Sequence, residues 1–466
     1  METKKAIYTV KSARYGITNM FSTLLTTVAT TFWALFLTSA VGLETAMMAT
    51  ILTLSSTVDL ISIPLCGFIL QKAKFKKGGK FRPWLLIGGI GAALLRWLSF
   101  TDLGLSTGGQ AIWFTGTYVL TYVFFNLAYS AFTGLLPVMA KNPQDRVSFA
   151  SARVTFNSIG KFLFSLTSVG LIGAFSRFEN DPRGYSIFAL IIAILVVLGF
   201  VQLFFAAKKD DVIEVYTDTT KEGSKQVDQY QASVWEMIKF TITKPFLLYL
   251  LSSACKGTTY FIITGLAAYY YTYVVGDKAM FTVYMTASTF LMICGAFITP
   301  FVSKLLKGSR NTFIFGNLLY GLCLGSAYFF GKTAVSFTVI MCLGYLGYAF
   351  AHASEVAVYS TVVDYTKWKN RRDLKPFMMT LFSLTPKIGT TIGSAVLGFG
   401  LVAVGFVKTN VTPDAIEGIR TLLSGLPAAL TAISVVAMIL FPLTEKKVLE
   451  MYEDMNRQDQ EAKTQA

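Results

Sequence analysis

The chain has 466 residues, 53% of them hydrophobic and only 14% charged, with a mean hydropathy of +0.55. So much apolar surface with so little charge excludes an ordinary soluble enzyme and requires a polytopic membrane protein. The formal charge of +15 marks no nucleic-acid partner, because the cations are gathered in short loops between apolar stretches.

A spanning helix needs roughly 20 mostly apolar residues to cross about 30 Å of hydrocarbon. About twelve such stretches follow one another along the chain. The first, 15–39, follows METKKAIYTVKSARYG, which has no apolar core ahead of a small-residue cleavage site, so no cleaved signal peptide is expected. The second, 44–70, holds a single acid, Asp59, among Val58, Leu60, Ile61 and Ile63. It runs into Lys72, Lys74, Lys76, Lys77, Lys80 and Arg82. Further spans are predicted at 84–103, 110–139, 148–176 and 185–206. The polar stretch 208–231 then divides the chain and reads as a flexible cytoplasmic linker. Residues 232–246 have apolar positions at helical spacing, as either a surface helix or an extra turn of the next span. The second set of spans is 245–274, 279–303, 311–331, 334–365, 377–406 and 418–442. From Thr444 the chain is polar and is expected to form a short cytosolic helix. The predicted organisation is therefore a six-helix bundle over 1–207, a cytoplasmic linker over 208–234, a second six-helix bundle over 235–443 and a cytoplasmic tail over 444–466.

Lys367, Lys369, Arg371, Arg372 and Lys375 form a second basic loop, with smaller groups at Lys141 with Arg146 and at Lys304, Lys307 and Arg310. Alternate connections such as SAVGLE (39–44) and TDLGLSTGGQ (101–110) are almost bare of Lys and Arg. The asymmetry predicts that both termini and every basic loop are cytoplasmic. Cys66, Cys255, Cys294, Cys323 and Cys342 lie inside apolar spans without paired spacing and read as packing residues, with no disulfide or metal role.

A charge near the bilayer centre costs from about 2.5 kcal/mol upward, so an intramembrane ionisable group is a functional candidate. These are Asp59, Arg153, Lys161, Lys256, Glu355 and Lys387, with Arg96 and Asp364 nearer span ends, where snorkelling to the headgroups is the competing explanation. Lys161 could instead belong to an internal pair with a carboxylate. His352, the single histidine, lies three residues before Glu355 and shares its helix face. That pair is either a substrate contact or proton relay, or a hydrogen-bonded pair inside the bundle. Tyr269, Tyr270 and Tyr271 are as well explained by interface belts as by sugar stacking. GGIGAALL (88–95) and GSAVLGFG (393–400) suit close helix packing. No Walker sequence is present, so transport must draw on an ion gradient or on the substrate's own.

Two six-helix halves and a long central loop form the layout of the major facilitator fold. YGI (15–17), Asp59 followed by Pro64 and Gly67, GGKFRPW (78–84), GLLP (134–137), AAYYYTYVVGD (267–277) and VVDYTKWK (362–369) occur in this order across nearly the whole chain. In these motifs the chain resembles the glycoside-pentoside-hexuronide:cation symporter family, of which melibiose permease is a member. The resemblance implies an all-α major facilitator protein of the cytoplasmic membrane, with no cofactor and no enzymatic activity, working as a monomer among membrane lipids on a small sugar or glycoside.

The family's cation site, carried over by position, implies Asp59 and Ser62 on the second span and Asn126 on the fourth. Ile63 stands where the family has a second acid. Sodium favours several oxygen ligands, whereas a lone buried carboxylate can still carry a proton because desolvation favours its neutral form. Proton coupling through Asp59 is therefore expected, with sodium coupling or uncoupled transport as alternatives. The family's sugar site implies Thr23 and Tyr129 at positions of its two acids, Thr133 at an aromatic position, Arg153, His352 at a tryptophan position and Lys387 in SLTPKIG; Glu355, on the face of His352, and Ser383, in the same motif as Lys387, are added as substrate-site candidates. Glu355 would neutralise Lys387 or Lys256, and Lys387 is also a candidate partner of Asp59. Two acids are lost while two cations remain, which favours an anionic substrate such as a glucuronide or another hexuronide. Lys80 and Arg82 would either latch a cytoplasmic gate or serve only as topogenic charge. The expected function is proton symport of an anionic glycoside. Sodium-coupled or uncoupled transport of neutral glycosides, an exporter of organic anions and a transport-inactive sensor are the alternatives.

Overall fold

The computed structural model describes residues 10–72, 79, 81–140, 143–211, 239–370, 378, 381–382, 384–408 and 410–465. Most of the predicted linker, together with Lys80 and Ser383, lies outside the described residues. In hydrocarbon every backbone N–H and C=O must be satisfied within the protein, and long apolar runs do this as helices. The described residues form no strand. In chain order the helices are α1 (Val10–Leu35), α2 (Thr45–Lys72), α3 (Arg82–Ser99), α4 (Thr107–Met139), α5 (Pro143–Phe175) and α6 (Pro182–Ala206). They continue with α7 (Lys244–Tyr269), α8 (Lys278–Leu305), α9 (Ser309–Phe330), α10 (Ala334–Asn370), α11 (Leu384–Ala403), α12 (Pro413–Ile439) and the polar tail helix α13 (Glu445–Gln465).

Eleven described helices are long and apolar enough to cross a membrane. The predicted span at 84–103 is present as α3, but its 18 residues include Arg82 and Arg96, which lower its hydropathy. Large apolar side chains point outward, among them Phe297 at 80% and Phe301 at 81% exposure. Helices whose outer surface is this apolar suit lipid as their solvent.

Local chemistry sets the helix ends. Asp181 caps α6, its carboxylate accepting the backbone N–H groups of Arg183 at 3.0 Å and Arg177 at 2.9 Å, with Pro182 at the first helical position. Thr243 and Asp277 cap α7 and α8 in the same way. Both α1 and α7 end in a single π turn, Phe36–Ala40 and Tyr270–Val274. In each, a valine N–H reaches back five residues (Val41 to Phe36, Val275 to Tyr270), and a glycine with positive φ follows, Gly42 at 84° and Gly276 at 73°.

The chain divides into two compact units: Met1–Ser224 with Phe281–Thr286 and Leu397–Ala415, and Lys225–Met280 with Ala287–Val396 and Ile416–Ala466. In the first unit, α1 packs on α5 and α6, α3 on α4 and α6, and α2 on α4. A buried aromatic group of Trp33, Phe36, Phe100, Phe114 and Tyr118 joins α1 to α4 and the end of α3. In the second unit, α9 lies along α10, and α12 packs on α7 and α9. Glycine allows the α9–α10 approach: a Cβ at Gly316 would lie 2.5 Å from the Gly347 carbonyl oxygen.

Candidate functional site

In the first unit the three residues of the implied cation site come together. Asp59 and Ser62 occupy one face of α2 and are 5% exposed each. Asn126 of α4 donates through Nδ2 to Asp59 Oδ1 at 2.7 Å and to Ser62 Oγ at 2.7 Å. The amide therefore turns its donor side to the carboxylate, and Ile63 supplies no oxygen.

The implied sugar site is gathered only in part. Arg153 on α5 donates through Nη2 to the Tyr129 hydroxyl at 2.6 Å, and its guanidinium lies 5.8 Å from that ring's centre. Tyr129 in turn stacks between Phe125 and Phe132 of its own helix, which fixes the hydroxyl toward α5. Thr23 and Thr133 instead return their hydroxyls to the helix backbone, at Asn19 and at Tyr129 and Ser130. Lys161 is half-buried, and among the described residues it has no ion pair.

The second unit holds a separate polar cluster. Glu355 of α10 is buried and accepts from Lys256 Nζ at 2.5 Å and from Ser253 Oγ, both on α7. His352 Nδ1 is 3.3 Å from the same carboxylate, and its imidazole stacks on Tyr348 with 5.5 Å between ring centres. The His352 side chain is 60% exposed, whereas those of Lys256 and Glu355 are 3% and 9%. The imidazole can therefore meet a ligand while Glu355 orients it from behind. Between the two predicted partners of Glu355, the geometry selects Lys256. Lys387 is half-buried on α11 in the same unit.

The two end-of-span residues, for which snorkelling is one of two readings, have defined surroundings. Arg96 does not snorkel: it is 0% exposed, lodged against Tyr118 and Tyr122. Asp364 accepts from the Tyr452 hydroxyl at 2.6 Å and so fastens the tail helix α13 to α10. Arg82, predicted as a gating cation, donates through Nε to the Phe204 carbonyl at 2.9 Å and covers the Phe204 ring. Asp211 accepts the backbone N–H groups of Phe81 and Arg82 at 2.9 and 2.8 Å. Sequence reasoning missed Ser253, and it ranked Lys256 only as one candidate partner. Both lie about a hundred residues from Glu355 in the chain, a separation that no motif spacing encodes.

The family described as "MFS/sugar transport protein" matches residues 14–445. A relative from Escherichia coli (strain K12) named for export of 2,3-dihydroxypropane-1-sulfonate is 25% identical over 445 residues, covering 95% of this chain and 94% of its own. Another from the same organism, named for import of sulfoquinovose, is 25% identical over 447 residues, covering 95% and 92%. The solved structure of a D-xylose-proton symporter superposes with a TM-score of 0.66 over 94% of this chain and 98% of that one, at 11% identity.

Proposed function

The chain belongs to the MFS/sugar transport protein family, and from that premise we propose that it carries an anionic glycoside or sugar acid together with a proton by alternating access. It is a multi-pass membrane transporter of the sugar-transport class and not an enzyme. The single observation behind the acidic cargo is Arg153 bonded to Tyr129 at 2.6 Å, where the family resemblance implies an acid. A guanidinium matches a carboxylate or sulfonate with parallel donors, whereas a neutral glycoside is better met by carboxylates that accept from its hydroxyls. Glu355, the buried acid of the second unit's polar cluster, already accepts from Lys256 and Ser253 and lies 3.3 Å from His352 Nδ1. Two relatives named for sulfonates, one an exporter and one an importer, support an acidic cargo.

In this reading Asp59 takes up the proton, with Asn126 and Ser62 holding the carboxylate, while Arg153, His352 and Lys387 meet the substrate. Coupling then comes from different affinities for proton and cargo in the two states of the carrier. The basic loops and both termini face the cytoplasm, and a monomer suffices. The test is uptake by membrane vesicles under an imposed pH or sodium gradient, with competition by a glucuronide and by its neutral glycoside counterpart. The reading expects uptake driven by the pH gradient and inhibited selectively by the acid. Drive by sodium alone, or equal inhibition by the neutral sugar, overturns it. The exporter reading, favoured by the name of one relative, predicts outward flux without an inward ion gradient.

A further inference from the structure

Lys161 of α5 has no part in the cation or sugar sites described above, yet its position is hard to explain without a ligand. It lies about 14 Å along the helix from Ala152, where the apolar stretch Ala152–Phe175 begins, and farther still from Phe175, so its stem cannot carry the ammonium out to the headgroups. Arg153, Asn157 and Lys161 recur every four residues on one side of α5. Ile159 and Leu163, each two positions from Lys161 and therefore nearly opposite it, are 43% and 48% exposed and form the apolar outer face.

Among the described residues neither Arg153 nor Lys161 has an ion pair. Asn157, between them, buries an Oδ1 that has no hydrogen-bond partner among the described residues. The same holds for Asn19 of α1, whose Nδ2 donates to the Arg153 carbonyl at 3.2 Å. Two cations and two open amide acceptors thus mark the side of α5 that meets α1. A polyhydroxy anion carries what they lack, acidic oxygens for the cations and O–H donors for the amides. We propose that Lys161 is a second cargo contact, and that the first unit takes a sugar acid with an acidic group at each end, one at Arg153 and the other at Lys161. This deepens the reading of an acidic cargo and rests on it. The two positions are two turns apart, about 12 Å along the axis, the span of an extended six-carbon diacid with a hydrogen bond at either end. A cargo with one acidic group leaves one of the two cations unanswered.

Isothermal titration calorimetry of the purified full chain in detergent tests this with glucarate, which has two carboxylates, glucuronate, which has one, and glucose, which has none. The native protein should bind glucarate about tenfold more tightly than glucuronate, the worth of one further charge-assisted contact. Lys161→Gln should reduce that preference to within about twofold, whereas Lys161→Arg should keep it because the charge is retained. A native protein that prefers glucuronate to glucose but gains nothing from the second carboxylate overturns the proposal, as does a preference that survives Lys161→Gln. Lys161→Met should fold and melt no lower than the native chain, since it removes a cation that has no ion pair. A lower melting temperature, or failure to fold, reveals a structural partner and overturns the proposal too. Glucose bound as tightly as either acid refutes the acidic-cargo reading and the proposal together, which tells the two failures apart.

Discussion

At the scale of single residues, the Lys256–Glu355 pair is where substitution should cost most. Both side chains are buried, so removing one partner strands a charge away from water. Lys256→Met is expected to destabilise the protein by about 3–5 kcal/mol, with most of the loss regained in Lys256→Met/Glu355→Gln. Thermal unfolding in detergent reads both, and simple additivity would show that the two groups do not act as a pair. Arg153 predicts a functional effect of a different kind. Arg153→Lys keeps the charge but loses the planar fork, and should weaken binding of an acidic cargo by about tenfold while leaving stability near native. Competition assays check this. Much of this scale was legible in the sequence: Asp59, Ser62 and Asn126 meet as their positions implied. The burial of Arg96 was not, because its place near a span end fits snorkelling as well as lodging against two tyrosines of another helix. The hydroxyls of Thr23 and Thr133 bond their own helices, a choice the sequence does not encode, since a hydroxyl that can reach a ligand can equally bond its own backbone.

At the scale of elements, hydropathy located the predicted spans to within several residues where their ends are described, and several helices overrun it where their ends become polar. Thus α10 continues to Asn370, five residues past its predicted limit, carrying Lys367 and Lys369. Hydropathy registers the hydrocarbon layer, whereas hydrogen bonding continues into the interface. Helix contacts are less legible, since they depend on which faces meet. Gly347 illustrates the point: a Cβ there would sit 2.6 Å from the Gly316 carbonyl oxygen, so Gly347→Ala should force α9 and α10 apart and cost about 1–3 kcal/mol. A melting temperature equal to the native one would refute that close approach. The cap of α6 is a milder case, for which Asp181→Ala should cost about 1 kcal/mol, read by the same measurement.

At the scale of the whole molecule, the charge asymmetry between loops predicts orientation. Gly104→Cys, in the nearly charge-free connection between α3 and α4, should react with an impermeant maleimide added to intact cells. Lys307→Cys, in a basic loop, should react only after permeabilisation. The reverse pattern would overturn a cytoplasmic placement of the basic loops. The composition announced a polytopic membrane protein, and the order of motifs announced its family. The division of the chain into two compact units was less legible, because short segments of later helices cluster with the first. The matching ends of α1 and α7 bear on how each half of the chain is built. Each helix opens its half of the chain and finishes in a π turn, a valine and a left-handed glycine, although the flanking residues differ. A wide turn at the same ordinal place in each half is the kind of correspondence expected of a transporter fold built from internal repeats.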